Sequence, residues 1–193
     1  MTRIGLLGGT FDPPHLGHLV AAEAAREVLG LDEVRLLVAG RPWMKGDETP
    51  ARHRVAMARA AVADDPNLAV DDREAHRDGQ TYTVDTLLEL RDERPDVAWT
   101  FLLGTDAAAS LPDWHRGAEA VALADWAVVQ RPGAPWPTHH LADRLQRVEI
   151  PQIGISSTDL RARVAAGRSI RYLVPAGVEA HIREHRLYGP ADG

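Results

Sequence analysis

Two histidines and a pair of glycines near the N-terminus carry the strongest chemical signal in this sequence. Gly8 and Gly9 end a short apolar run, and His15 and His18 follow at the start of a predicted helix. Glycines after a buried strand let a phosphate approach the backbone, and a helix N-terminus offers free N–H donors. Histidines three positions apart share one helix face, where both imidazoles can donate to a reacting phosphoryl group. Gly17 keeps the space between them clear, so the segment predicts phosphoryl-transfer chemistry.

A second segment with phosphate-binding character lies near the C-terminus, where residues 155–161 read ISSTDLR. Serine and threonine at a helix start satisfy the free amides of that helix. The same helix start can bind phosphate, and Arg161 can hold phosphate oxygens from the side. Taken alone, the segment is also consistent with simple helix capping. Its combination with the histidine loop favours phosphate binding.

The elements that must position these residues alternate between strands and helices. The predicted strands are 4–7, 34–38, 68–70, 97–103, 126–129 and 148–150, and the predicted helices are 16–29, 51–63, 83–93, 157–166 and 176–184. This alternation predicts an α/β fold with a parallel sheet and helices on both faces. Ligands bind beyond the carboxyl ends of such strands, and the loops 8–18, 39–50 and 104–106 all follow predicted strands. No linker divides the chain, so we expect one domain over residues 1–193.

The composition excludes several classes of protein. The chain has 193 residues, of which 45% are hydrophobic, and a formal net charge of −6. These values disfavour a disordered protein and a strongly basic nucleic-acid-binding protein. Cysteine is absent, which excludes disulfides, thiolate catalysis and cysteine-bound zinc. We interpret the nine histidines as scattered, so no protein-bound metal is predicted.

The sequence also shows no sign of a membrane location. No segment reaches the ~20 apolar residues that cross a bilayer, and we find no signal peptide at the N-terminus. We therefore expect a cytoplasmic protein without membrane or nucleic-acid partners. The oligomeric state stays open, with a homo-oligomer as one outcome.

Several motifs resemble those of a known enzyme family. Residues 8–18 resemble the GGTFDPxHxGH signature of the nucleotidyltransferase superfamily, and residues 155–161 resemble its ISSTxxR motif. Residues 81–87 are similar to the SYTxDTL segment of bacterial nicotinate-nucleotide adenylyltransferases, and residues 104–114 resemble their GxD…W segment. The resemblance implies a Rossmann-like doubly wound parallel sheet. It also implies a reaction of ATP, accompanied by Mg²⁺, with nicotinate mononucleotide to give nicotinate adenine dinucleotide and pyrophosphate.

The resemblance further implies roles for individual residues. For ATP binding these are Gly8, Gly9, Thr10, Phe11, His15, His18, Gly104, Asp106, Ser156, Ser157, Thr158 and Arg161. For nicotinate mononucleotide they are Lys45, Tyr82, Thr83, Trp114 and Arg131, with Trp114 stacked on the pyridine ring. The implied catalytic residues are His15, His18, Lys45 and Arg161.

Some of these residues also have simpler structural interpretations. Thr83 and Asp106 are each candidates for a helix N-cap, and Trp114 is a candidate for an ordinary core tryptophan. We interpret Trp99 and Trp126 as core residues.

One loop departs from the family pattern. Many members have PPHK where this sequence has Pro42-Trp43-Met44-Lys45, so the histidine is missing while the only lysine of the chain remains. We expect Lys45 to face a substrate phosphate. Trp43 either covers the nucleotide or packs against the protein.

Three other functions fit part of the pattern. A related transferase would use nicotinamide mononucleotide or phosphopantetheine. Phosphopantetheine enzymes usually have TxGH where this chain has His15, and they lack the motifs at 81–87 and 104–114. A nucleotide-sensing module without turnover is the second function, which the retained catalytic set disfavours. A histidine-rich metal-binding protein is the third.

Overall fold

A six-stranded parallel sheet forms the centre of the computed structural model, which describes residues 1–40, 48–130, 133, 135–151 and 153–189. The strands are β1 (Thr2–Gly9), β2 (Glu33–Val38), β3 (Leu68–Asp71), β4 (Val97–Gly104), β5 (Asp125–Gln130) and β6 (Leu145–Glu149). Their order is β3-β2-β1-β4-β5-β6, and every neighbouring pair is parallel. This is the strand order of a doubly wound Rossmann sheet, so the predicted fold class is confirmed.

Seven α-helices connect and flank the strands in the part of the chain that the structure describes. They are α1 (Leu16–Leu29), α2 (Ala51–Val62), α3 (Thr83–Glu93), α4 (Thr105–Ala109), α5 (Gly117–Leu123), α6 (Ser157–Ala165) and α7 (Ala176–Glu184). None of them is long and apolar enough to span a membrane. The predicted bounds of α1, α3 and α7 agree with the structure, and α2 and α6 each end one residue earlier than predicted.

The differences from the predicted elements have simple physical reasons. The helices α4 and α5 were not predicted, because five and seven residues are too few to show a helical period. The last strand begins at Leu145 rather than at residue 148, because polar residues separate its two buried side chains, Leu145 and Val148. A prediction from apolar runs alone therefore puts the start of this edge strand three residues too far along the chain.

Both faces of the sheet are buried under helices. Leu6 of β1 packs in one core cluster with residues of α3 and α5, whereas its neighbour Leu7 packs in another with residues of α1 and α2. This division follows from the two-residue period of a strand. A strand buried on both faces is continuously apolar, as in the LLV of β2. Trp99 and Trp126 are buried in the first cluster, as predicted.

The C-terminal helices attach to the sheet through α2. Met57 of α2 lies in a third buried cluster with Leu160 of α6 and with Val178 and Ile182 of α7. The two helices that follow β6 therefore cover α2 rather than the sheet itself.

The order in which the chain adds strands to the sheet reverses between β1 and β4. From β1 the chain continues to β2 and β3 on one side, and β4 returns to pair with β1 on the other. In folds of this type, ligands bind in the crevice at this switch point, beyond the carboxyl ends of the strands. The two strands end at Gly9 and Gly104, which places both glycines at the expected crevice.

Candidate active site

A cleft of about 910 Å³ opens at the carboxyl ends of β1 and β4. Its walls come from the loop after β1, from Glu48, from the start of α4 and from the start of α6. The lining residues are Gly9, Thr10, Phe11, Asp12, His15, His18, Glu48, Gly104, Thr105, Asp106, Ala107, Val129, Ser156, Ser157, Thr158 and Arg161. The fold thus brings together all the residues predicted to bind ATP except Gly8, which lines a neighbouring cavity.

His15 and His18 lie side by side at the start of α1. Their rings stack with a centroid distance of 3.8 Å and an angle of 26° between planes. The backbone N–H of the buried His15 donates to Nδ1 of His18 at 3.2 Å. A ring nitrogen that accepts a hydrogen bond carries no proton, so the other nitrogen of His18, Nε2, carries the N–H. His18 is therefore a hydrogen-bond donor in the wall of the cleft.

Gly17 lies against the ring of His15. A Cβ at this position would lie 3.0 Å from both Cε1 and Nδ1 of the His15 ring. A side chain here would require the His15 ring to shift, and the role of Gly17 between the two histidines stays a prediction.

The start of α6 is fastened to the loop after β1 by two hydrogen bonds. The Ser157 hydroxyl donates to the carbonyl of Pro13 at 2.9 Å, and the Arg161 guanidinium donates to the carbonyl of Asp12 at 2.7 Å. Arg161 therefore has a structural role at the edge of the cleft, in addition to its positive charge.

Ser156 is engaged in capping its own helix. Its hydroxyl accepts from the backbone N–H of Asp159 at 3.1 Å and donates to the Asp159 carboxylate at 2.7 Å. The simple capping interpretation is thus correct for Ser156, which together with Ser157 and Thr158 also lines the cleft.

Arg54 holds the loops behind the cleft together, and sequence analysis did not identify it. Its side chain is buried, and burial is the main influence that lowers its pKa from the ordinary value. The guanidinium donates to the backbone carbonyls of Thr10 at 3.0 Å, Ala39 at 2.6 Å, Gly40 at 2.7 Å and Thr49 at 2.8 Å. One side chain thus fixes the loops after β1 and β2 relative to α2.

Asp12 and Tyr188 form a partly buried contact that was not predicted either. The Tyr188 hydroxyl donates to one oxygen of the Asp12 carboxylate at 2.5 Å, and the backbone N–H of Thr49 donates to the other at 3.1 Å. Burial, followed by the bond to Asp12, raises the pKa of Tyr188. Both carboxylate oxygens of Asp12 are therefore occupied by the protein itself.

A smaller cavity of about 210 Å³ adjoins the first. It is lined by Gly8, Gly9, Leu37, Ala39, Glu74, Thr81, Tyr82, Thr83, Phe101, Leu103, Gly104, Ala107, Trp114 and His115. Trp114 packs edge-to-face against Phe101 and Trp126, and its Nε1–H donates to the Ser110 hydroxyl at 3.2 Å. These contacts hold the indole of Trp114 in one orientation at the cavity wall, although the residue also packs against the core.

Glu74 is a buried carboxyl group in the wall of the smaller cavity that sequence analysis did not identify. The Thr86 hydroxyl donates to it at 2.7 Å and itself accepts from Arg77 at 2.7 Å. Burial raises the pKa of Glu74, while the bond from Thr86 opposes this shift. A Cβ on Gly40 would lie 2.0 Å from the carbonyl oxygen of Glu74, so only glycine fits beside this residue.

Two predicted capping interpretations are wrong. The N-cap of α3 is Tyr82 rather than Thr83, and the N-cap of α4 is Gly104 rather than Asp106. Thr83 instead lines the smaller cavity, and Asp106 is exposed to the larger one. Tyr82 and Gly104 have extended backbone angles and are the N-caps. The helix α3 therefore begins at Thr83 itself, and α4 begins one residue before Asp106.

Lys45 and Arg131, both predicted to contact substrate phosphates, lie outside the residues that the structure describes, as does Trp43. Their roles stay predictions. Of the loop 39–50, the described residues Ala39 and Glu48 each line one of the two cavities.

The interpretation of the histidines as scattered is wrong for three of them. His53, His181 and His185 come together where α2 contacts α7. The pair at 181 and 185 has the i, i+4 spacing that places two side chains on one helix face. That spacing was a local signal, whereas the approach of His53 depends on tertiary packing.

Comparison with known proteins gives a consistent result. The model of the cytidylyltransferase-like family matches residues 6–163. A protein of Leifsonia xyli is 44% identical over 96% of this chain and 94% of its own length. A protein of Thermus thermophilus is 45% identical over 96% of this chain and 99% of its own length. Both carry the name "Probable nicotinate-nucleotide adenylyltransferase".

Solved structures share the fold at lower sequence identity. The nicotinic acid mononucleotide adenylyltransferase of Plasmodium falciparum in complex with NaAD has a TM-score of 0.82 at 19% identity. The alignment covers 97% of this chain and 98% of that one. The same enzyme in complex with APC has a TM-score of 0.80. At this identity the likeness concerns the fold alone.

Proposed function

This chain belongs to the cytidylyltransferase-like family and, within it, to the nicotinate-nucleotide adenylyltransferases, and from that premise we propose the reaction that it catalyses. It transfers AMP from ATP to nicotinate mononucleotide, and the products are nicotinate adenine dinucleotide and pyrophosphate. Such a reaction is a step in NAD biosynthesis.

One observation carries the proposal: the two cavities meet at the switch point of the sheet. Gly9, Gly104 and Ala107 line both of them. A nucleoside triphosphate in the larger cleft and a mononucleotide in the smaller cavity would therefore bring their phosphates together beside the β1 and β4 ends. Two substrates held in this way react as if the step were unimolecular.

The proposed step is an in-line displacement at the α-phosphorus of ATP. A phosphate oxygen of the mononucleotide attacks, the bond from the α-phosphorus to its bridging oxygen breaks, and pyrophosphate leaves with the electron pair. Because the attacking phosphate is already an anion at neutral pH, no strong general base is required. Catalysis then depends on position and charge neutralisation. His15 and His18 hold phosphate oxygens, and Lys45 and Arg161 neutralise the triphosphate.

Recognition of the pyridine is assigned to the smaller cavity. Trp114 offers a fixed flat surface on which an electron-poor ring stacks. The amides of Thr83 and Val84 precede the first hydrogen bonds of α3, which Asp85 and Thr86 donate to Tyr82, and such amides favour a negatively charged group. A nicotinate carboxylate beside Tyr82 and Thr83 would accept from these donors, whereas a carboxamide carries no charge for them to stabilise.

The divalent cation enters as part of the ATP substrate, and we propose that it is Mg²⁺. Glu48 and Asp106 are carboxylates of the cleft wall that face this space, while the oxygens of Asp12 are already occupied. Few protein ligands fit Mg²⁺, which keeps several waters and binds substrate phosphate oxygens. When bound, it would neutralise charge on the phosphates.

We also propose that the chain works in the cytoplasm as a single domain.

Steady-state kinetics with alternative substrates test the proposed reaction. We expect pyrophosphate release from ATP with nicotinate mononucleotide, and a much lower kcat/KM with nicotinamide mononucleotide, because a neutral carboxamide then replaces the charged carboxylate. Phosphopantetheine should give no release. A preference for the amide would contradict the choice of substrate, and tight binding of both substrates without pyrophosphate release would favour the nucleotide-sensing module.

Replacement of Trp114 tests the stacking surface. We expect Trp114→Ala to lower kcat/KM for nicotinate mononucleotide by about tenfold or more, since a base stacked on an aromatic ring gains about 1–3 kcal/mol. Trp114→Phe should keep part of the effect, because a smaller ring remains. The KM for ATP should stay near that of the unmodified chain.

Trp136 provides the matched control for this measurement. It is also a half-buried tryptophan that packs against the first core cluster, but it stacks on Arg147 and lines neither of the two cavities assigned to the substrates. Equal losses in Trp136→Ala and Trp114→Ala would indicate a general loss of packing and would contradict a stacking role.

A further inference from the structure

Three histidines from two helices converge at a place outside the proposed active site. His53 lies in the first turn of α2, His181 lies in the last turn of α7, and His185 follows at the end of α7. One ring nitrogen from each lies within 4.8 Å of the others. None of these residues lines either of the cavities assigned to the substrates, so the proposed reaction does not explain the cluster.

The spacing of the ring nitrogens fits a single small cation. His53 Nδ1 and His181 Nε2 are 3.2 Å apart and share a hydrogen bond, so one of them would release its proton when a metal ion binds. Two nitrogens bound tetrahedrally to zinc at about 2.1 Å would be about 3.4 Å apart. The third ring approaches both, with centroid distances of 4.9 Å to His53 and 4.3 Å to His181. His185 is exposed, so its ring has room to turn and close the remaining distance.

The surroundings keep these rings suited to metal binding. Burial is the main influence that lowers the pKa of both His53 and His181, and the neighbouring rings lower it further. Arg52 acts in the same direction on His53, whereas Glu184 opposes the shift at His181. Neutral imidazole is the form that donates a lone pair to a metal.

We propose that His53, His181 and His185 bind a divalent transition metal ion of the zinc class and that this ion joins α2 to α7. Imidazole nitrogens suit Zn²⁺, Co²⁺, Ni²⁺ and Cu²⁺, whereas Mg²⁺ prefers oxygen ligands. Three protein ligands leave a fourth position for water. The site is therefore distinct in chemistry and place from the cation that accompanies ATP.

A metal at this position would stabilise the helices that support the substrate cleft. His53 is adjacent in sequence to Arg54, which holds the loops behind the cleft. The chain continues from His185 to Tyr188, which donates to Asp12. An ion that joins α2 to α7 would thus fix the helix that carries Arg54 and the helix that precedes Tyr188.

Metal titration of the untagged chain tests the proposal. Without nucleotide and with excess Mg²⁺ present, isothermal titration should show one Zn²⁺ bound per chain, and the melting temperature should rise with Zn²⁺ concentration because the folded state alone holds the site. Co²⁺ should give the visible absorption of a tetrahedral nitrogen-ligated ion. Since cysteine is absent, neither signal can come from thiolates.

Substitutions distinguish this cluster from adventitious binding. We expect His185→Ala and His53→Gln each to weaken Zn²⁺ binding at least about tenfold, since even loss of a supporting partner costs a site that much. His185 is exposed, so its removal should leave the circular dichroism spectrum unchanged. His140→Ala is the matched control, because His140 is exposed and lies outside the cluster. The proposal is overturned if the unmodified chain binds no stoichiometric Zn²⁺, or if both cluster variants bind it as tightly as the control.

Discussion

The kcat of the variant His18→Ala is expected to fall by a factor of about 10²–10³. This is the effect of removing one preorganised hydrogen-bond donor from a reacting oxyanion. The structure gives the donor a defined chemical form. Nδ1 of His18 accepts from the backbone of His15, so Nε2 carries the proton and can bond a phosphate oxygen without any change of protonation. Single-turnover measurement of pyrophosphate release under saturating substrates would report the chemical step directly.

His18→Asn is the control that separates catalysis from the local structure of the loop. An asparagine oxygen can replace Nδ1 as the acceptor from His15, but asparagine has no group at the position of Nε2. We expect its stability to match that of the unmodified chain and its kcat to fall as far as that of His18→Ala. Turnover within about threefold of normal in both variants would contradict a role of His18 at the phosphate.

Arg54→Met is expected to have the largest effect on stability, about 3–5 kcal/mol in the free energy of unfolding. Hydrogen bonds from a charged group contribute about 1.5–3 kcal/mol each, and the buried carbonyls left behind can be only partly hydrated. Methionine keeps most of the apolar stem, so the loss reports the guanidinium. In a chain of this size the midpoint of thermal unfolding should fall by about 10 °C.

The neighbouring Arg52 is the matched control for this experiment. It lies in the same turn of α2 but is exposed, so Arg52→Met should change the free energy of unfolding by less than about 0.5 kcal/mol. Arg54→Lys should lower the free energy of unfolding by an intermediate amount. Its ammonium group keeps the positive charge but cannot reach all the carbonyls that the planar guanidinium contacts. Equal stabilities of Arg54→Met and Arg52→Met would show that the bonds to the loops add nothing.

The fold was predictable because its signals are local. A strand buried on both faces is apolar throughout, and each such run ends near a glycine, as at Gly9 and Gly104. Long amphipathic helices such as α1 and α3 show their period in the sequence. The short helices α4 and α5 do not show such a period. They form because the connection from β4 to β5 packs against the core.

The candidate site was predictable only where one segment carries its own chemistry. The histidine loop and the start of α6 are such segments, and the fold brings them together. Arg54, Glu74 and Tyr188 were missed because each acts on backbone or side chains far away in sequence. Arg54 sits in a helix among other arginines, and nothing beside it in the sequence distinguishes it from its exposed neighbour Arg52.

The bonds that complete the cleft also determine when it can first exist during protein synthesis. Ser157 and Arg161 reach back 144 and 149 residues to the loop after β1, and Tyr188 reaches back 176. At about 5–20 residues per second, a ribosome needs roughly 7–35 s to supply these partners. A nascent chain can pair its first strands in that time, but it lacks the wall of the cleft that the start of α6 provides. Competence to bind ATP should therefore appear only after residues 157–188 have been synthesised.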